Sequence, residues 1–161
     1  MTFFGIDPGI GRVGWGVIEQ TGNKFKSLAY GCLETSSKLP HEKRLVIIHN
    51  FLKQKLRKLK PDIVAVEDLF FAKNTKTALS VGQARGVIVL TAALANLPIY
   101  SYTPLQIKQA ITGYGRAEKK QIQAMVQKLL NLDIVPCQDD AADALAIALT
   151  GAFSYKLEGK L

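Results

Sequence analysis

Three segments of the chain carry acids at places where chemistry could be done. A short apolar run, Phe3 to Ile6, closes at Asp7-Pro8-Gly9. A second apolar run, Ile63 to Val66, closes at Glu67-Asp68. A third segment opens with Asp139-Asp140 and continues Ala141-Ala142-Asp143. The ends of strands in α/β sheets are common ligand sites. Residues three or four apart share one face of a helix, so Asp140 with Asp143 and Asp139 with Asp143 both qualify, and spacing alone does not choose between them. Carboxylates that converge repel one another, and such a cluster is tolerated only if cations neutralise it or some members hold protons. A donor set made only of oxygen suits hard ions, magnesium first and manganese as a substitute. Two such ions could activate a water and stabilise the leaving oxygen of a phosphodiester.

Each acid taken singly has an ordinary structural role. Asp before Pro-Gly serves turns, Glu after a strand meets solvent, and Asp at a helix start serves the cap and the dipole. Asp139 keeps that helix-start reading, and Asp68 points away from Glu67 if its strand continues. The acids gain weight because they sit in one small basic protein. The chain of 161 residues has a formal net charge of +8, which favours polyanions as partners and binding that weakens with salt. Acids at the ends of its most apolar segments run against that bias.

The elements that must position these acids follow from periodicity. Phe3 to Ile6 reads as a strand, joined by a short glycine-rich loop to Val13–Glu19, where Gly14 and Gly16 flank Trp15; Lys26–Glu34 reads as a third strand. From Pro40 to Leu59 the period changes. Leu45, Ile48, Leu52, Leu56 and Leu59 recur at helical spacing, with Lys53, Lys55, Arg57 and Lys58 opposite. Ile63–Val66 is continuous and apolar, as expected of a strand buried on both faces. A long helix is expected over 74–96 and a strand from Pro98 to Tyr102. Thr103-Pro104 opens a helix in cap-then-proline order. Ala117–Leu132 is helical, 133–138 is a loop, and an alanine-rich helix runs from Asp139 to about Tyr155. Ala141 and Ala142 are small enough to let that helix lie close to the sheet. The order describes one α/β domain over 1–161 with a mixed sheet, a meander first and strand–helix–strand crossovers after it.

Other classes of protein are disfavoured. No apolar run approaches the roughly 20 residues that span a bilayer, and Met1 to Ile6 lacks a basic leader, so a cytoplasmic protein with no membrane contact is expected. Cys32 and Cys137 match no zinc spacing and read as reduced structural thiols.

Read together, these segments resemble the RuvC-type Holliday junction resolvases. The resemblance rests on Gly5-Ile6-Asp7-Pro8-Gly9 with Gly14-Trp15-Gly16, on Val66-Glu67 with Phe70 to Asn74, on Gly82-Gln83-Ala84-Arg85-Gly86, on Ala117-Glu118-Lys119, and on Asp140-Ala141-Ala142-Asp143-Ala144-Leu145-Ala146. These motifs come in family order and cover nearly the whole chain. The resemblance implies a ribonuclease-H-like α/β fold whose five-stranded mixed sheet, an antiparallel three-strand meander plus two parallel strands, is flanked by helices. It implies a homodimer that makes paired symmetric nicks in a four-way DNA junction, leaving 5′-phosphate and 3′-hydroxyl ends. It names Asp7, Glu67, Asp140 and Asp143 as the catalytic, metal-binding acids, holding two magnesium ions, and it is the resemblance that selects Asp140 over Asp139. The branch-migration proteins RuvA and RuvB are the implied partners. Asp139 departs from the pattern, because many relatives carry a neutral residue there. The chain ends soon after its last helix, so no longer basic tail is expected.

The same resemblance marks residues expected to face DNA. Phe70 is the ring that would insert between bases, with Phe71 packed inside and Lys73 on a phosphate. Lys108 and Lys119 flank Gly113-Tyr114-Gly115 and would bind phosphate, as Arg116 and Lys120 nearby could. Ala78, Gly82 and Gly86 recur every four residues and offer either close packing on the chain's own sheet or a two-fold contact. Three rival functions remain: a ribonuclease-H-like nuclease acting on RNA precursors, an actin-like ATPase, and a junction binder without catalysis. The ATPase fold needs a duplicated domain that 161 residues cannot supply.

Overall fold

The structure is a computed structural model that describes residues 1–68, 75–134, 136 and 139–157, with the backbone alone at 75–77 and 156–157. Five strands form one sheet: β1 (Thr2–Asp7), β2 (Arg12–Thr21), β3 (Lys24–Glu34), β4 (Ile63–Glu67) and β5 (Ile99–Tyr102), in the order β3-β2-β1-β4-β5. β1, β2 and β3 pair antiparallel, whereas β4 runs parallel to both β1 and β5. The helices are α1 (His41–Leu59), α2 (Thr75–Leu94), α3 (Pro104–Thr112), α4 (Lys119–Leu130) and α5 (Asp139–Leu157). This is the expected ribonuclease-H-like arrangement, with the expected order of elements and bounds that shift by a few residues. Among the described residues no helix is long and apolar enough to cross a membrane.

Alternation along the strands builds two cores. Phe4, Ile6, Val13, Trp15, Val17, Val64 and Val66 face α1 and α2, where Ile48, Leu52, Leu56, Ala84 and Ile88 are buried against them. Phe3, Ile63 and Ala65 face α3, α4 and α5. Each fully buried apolar side chain contributes roughly 1.5–3 kcal/mol relative to exposure. The buried line of α2 is Ala84, Ile88 and Ala92. Of the two roles open to the Ala78, Gly82 and Gly86 stripe, packing on the chain's own sheet is not the one seen: Ala78 and Gly82 are half-buried and Gly86 is exposed.

Two glycines set how closely α5 lies on the sheet. A Cβ added at Gly5 would stand 2.0 Å from the Ala144 carbonyl oxygen, and one at Gly14 would stand 2.0 Å from that of Asp140. A side chain there would push the helix off the sheet. Ala141, Ala142, Ala144 and Ala148 complete the close fit from the helix side, each at most 1% exposed.

The remaining helix is set by local chemistry. Thr103 accepts a hydrogen bond from the Gln106 backbone N–H while the Gln106 side chain accepts from the Thr103 N–H, a reciprocal cap. Pro104 occupies the first turn, and Gly113, in the left-handed region at φ 74°, closes the helix. This fixes Lys108 on a short, well-terminated helix.

Candidate active site

Asp7 is the last residue of β1 and Glu67 the last of β4. The strands are parallel neighbours with Ile6 opposite Val66, so the next position along each brings Asp7 and Glu67 to the same carboxyl edge. Ile6 and Val66 face the α1–α2 side, and alternation turns the two acids to the α5 side. There the first turns of α5 supply Asp140 and Asp143. The loop between Asp7 and β2 is tied down from β3: Thr35 donates its backbone N–H to the Gly11 carbonyl at 2.9 Å and its hydroxyl to the Ile10 carbonyl.

The four acids carry their charge in two different ways. Burial, followed by the charges of Glu67, Asp143 and Asp140, pushes the Asp7 carboxyl up to about 8. Asp7 thus holds a proton at neutral pH and donates it to Glu67. Burial also raises Glu67; the hydrogen bond from Asp7 opposes that rise and Asp143 adds to it. Asp143 is raised by burial and partly relieved by Lys119, whose Nζ lies 3.1 Å from its carboxylate. Asp140 pairs with Arg12, Nε to Oδ2 at 3.2 Å, and has the Cys32 Sγ at 3.9 Å.

Asp139 is exposed. It receives Lys119 at 3.3 Å and the Gln123 amide at 2.9 Å, and these contacts hold its carboxyl below the usual range. Asp140 acts electrostatically on Asp7, while Asp139 joins α5 to α4. Burial works against the Lys119 charge, but the hydrogen bonds to Asp143 and Asp139 prevail and raise its amine.

Lys108 and Lys119 stand with Glu67 and Asp143 around a cavity of about 260 Å³ whose apolar wall includes Ile107, Ile122 and Ile147. Arg116 and Lys120 are exposed and do not line it. Phe70, Phe71, Lys73 and Cys137 lie outside the described residues.

Two cations escaped the sequence reading. Arg12 is the partner of Asp140. Arg85 donates to the Glu67 carbonyl at 3.2 Å and to Ser101 Oγ at 2.7 Å, and pairs with Asp68 at 3.1 Å. Asp68 therefore belongs to a clamp on the end of β4 and lies beyond the strand, which stops at Glu67. Arg85 was visible inside the Gly82–Gly86 motif, but nothing in its spacing named its partners; nothing marked Arg12.

The donor set fits hard divalent ions. It is all oxygen, Glu67, Asp143 and Asp140 together raise the proton affinity of Asp7, and two side-chain cations, Lys119 and Arg12, already sit against Asp143 and Asp140. Among the described residues no three acids stand in finished metal-holding geometry.

The sequence matches the family model for crossover junction endodeoxyribonuclease RuvC over residues 3–151. The chain belongs to the RuvC family. A relative from Halothermothrix orenii, named crossover junction endodeoxyribonuclease RuvC, is 53% identical over 160 residues, covering 99% of this chain and 97% of its own length. Another RuvC, from Caldicellulosiruptor saccharolyticus, is 54% identical over 92% of this chain and 90% of its own. The Thermus thermophilus RuvC structure superposes with a TM-score of 0.90 at 40% identity, covering 99% of this chain and 97% of that one. The same bacterium's RuvC solved in complex with a Holliday junction substrate gives 0.93 at 38% identity, covering 98% and 96%.

Proposed function

We propose that this RuvC-family chain is a structure-selective DNA endonuclease that resolves four-way junctions in recombination and repair. Paired symmetric nicks would leave 5′-phosphate and 3′-hydroxyl ends. The observation that carries the reading is the meeting of Asp7, Glu67 and Asp143 at one sheet edge beside Lys108 and Lys119. The Thermus thermophilus relative bound to a Holliday junction substrate supports the choice of DNA.

Asp7, Glu67, Asp140 and Asp143 would hold two magnesium ions, with manganese as a substitute. When bound, the ions supply an activated water and neutralise charge on the leaving oxygen. Holding an ion would require Asp7 as its carboxylate, its proton passing to solvent, and Asp143 without its Lys119 contact. The freed Lys119 and Lys108 then hold phosphates and fix the strand against the acids, where the low local dielectric strengthens each contact. Phe70 stacks on a base opened at the junction centre, and Lys73 takes a phosphate beside it.

The whole chain, 1–161, acts as one ribonuclease-H-like domain in the cytoplasm, paired as a homodimer and working with RuvA and RuvB. The outer face of α2 suits a two-fold contact: Leu79, Leu90 and Leu94 are 67%, 57% and 68% exposed, and Gly86 between them has nothing within 4 Å of an added Cβ. Leu90→Glu is expected to give monomers by ultracentrifugation; a monomeric parent protein would remove the dimer from the reading.

The decisive experiment mixes the protein with a synthetic four-way junction, with and without magnesium. Paired nicks in opposite strands are expected only with the ion. Binding without cutting at every metal concentration would sink the nuclease reading.

A further inference from the structure

The cavity beside Glu67 and Asp143 is built unlike a phosphate groove. Lys108 and Lys119 supply its cations, but Ile107, Ile122 and Ile147 supply much of its wall, and all three are nearly fully buried. At about 260 Å³ it has room for several waters or for one flat ring system. Water against the apolar part of this wall has fewer than the two to four polar partners that hold a buried water in place. A flat heterocycle satisfies the apolar wall with its faces and leaves its polar edge toward the open side.

We propose that this cavity is a nucleobase subsite, taking one unstacked base of the strand being cut while Lys108 and Lys119 hold the phosphates that flank it. The inference rests on the nuclease reading above and adds a binding element to it. A strand whose phosphate lies against Glu67 and Asp143 lies beside this cavity, because those two acids line it. Unstacking a base costs less where its pairing or stacking is already weakened, as at the centre of a four-way junction whose arms have been opened. The site thereby favours a junction over plain duplex without reading its sequence through base-edge hydrogen bonds. Phosphate contacts set the position of the strand, and the apolar wall accepts the base that this position turns out.

The test places 2-aminopurine, in turn, at each nucleotide flanking the cut and binds the full chain to these junctions with calcium in place of magnesium. One position is expected to change its fluorescence at least about twofold on binding. Ile107→Phe, which fills the cavity, is expected to abolish that change at saturating protein and to weaken junction binding several-fold. In a second arm, an abasic nucleotide at the responding position is expected to slow magnesium-dependent cleavage by the native protein about tenfold, the lower part of the range for one stacked base. The subsite is overturned if no position responds, if the response survives in folded Ile107→Phe, or if the abasic junction is cut at the normal rate. The abasic arm uses only the native protein, so a filling variant that fails to fold leaves the test standing. If the native protein does not cut the intact junction at all, the nuclease reading has failed, and that outcome is distinct from the three above.

Discussion

The two pairs of acids at the sheet edge bear the same charge problem in different ways. Asp7 and Glu67, fixed on neighbouring strands, are half-buried side by side and resolve their repulsion with a proton. Asp140 and Asp143, on the first turns of α5, reach side-chain cations, Arg12 and Lys119. The difference follows from where the backbone comes from. Asp7 and Glu67 leave the sheet next to each other on parallel strands, while the start of α5 faces Lys119 on α4 and Arg12 at the start of β2. The strand pair is therefore the rigid half of the site and stores the larger penalty. The helix pair is the adjustable half, because its cations sit on side chains that are half exposed or more.

Cutting is the most severe test of the rigid half. Asp7→Asn and Glu67→Gln are each expected to lower junction cleavage about a thousandfold or more, since losing a metal-held acid costs several kcal/mol at about 1.4 kcal/mol per tenfold. Binding should be kept or strengthened, because each change removes negative charge near the DNA. Gel-based cleavage and binding assays separate the two effects; near-normal cutting by either variant would remove that residue from the metal set.

The close approach of α5, on which both halves depend, is tested by Gly5→Ala. The new Cβ would meet backbone atoms of Ala144 and Ala148 at 2.0 and 2.5 Å, which no side-chain rotation relieves. A loss of about 3 kcal/mol is expected, lowering Tm by roughly 6–12 °C in a chain of this size. An unchanged Tm in a scanning-calorimetry trace would show that the helix can slide.

The proton on Asp7 predicts a pH dependence of metal-free stability. The folded-state value of about 8 lies above the unfolded one, roughly 3.9. The folded state thus binds the proton more tightly, and stability falls as pH rises between those two values and is level above them. Glu67 and Asp143 are raised as well and act in the same direction. Asp7→Asn should then be more stable than the parent at pH 8 without metal, by on the order of 1–3 kcal/mol after relaxation of the site, with the gap closing near pH 4. Magnesium should reverse the order at pH 8, because it stabilises only the parent strongly. A parent as stable as the variant across this range would deny the shared proton.

The smallest expected effect belongs to the adjustable half. Lys119→Ala should weaken junction binding several-fold and reduce the slope of log affinity against log salt by about 1, the signature of one lost phosphate contact. An unaltered slope would leave Lys119 as a partner of Asp139 and Asp143 only.

Much of this was readable from the chain. Unbroken apolar runs ending in acids announced β1 and β4, helical spacing announced α1 and α4, and Thr103-Pro104 announced the cap that places Lys108. These features are local: each needs only the preferences of neighbouring residues, and the sequence carries those directly. Order and periodicity also supplied the mixed sheet, because a meander followed by crossovers leaves few arrangements.

What the tertiary structure alone decided is how the acids are partnered. Spacing left Asp139 and Asp140 equivalent, but α5 rotates so that Asp140 lies over Gly14 and acts on Asp7, while Asp139 turns out to Lys119 and Gln123. Arg12 and Arg85 are distant in sequence from the acids they serve, and Asp68 left the strand to join the Arg85 clamp. The proton on Asp7 is likewise invisible in the chain. It arises from burial and from three other acids brought close by folding, and electrostatic energy depends on distance in space, which residue order does not encode.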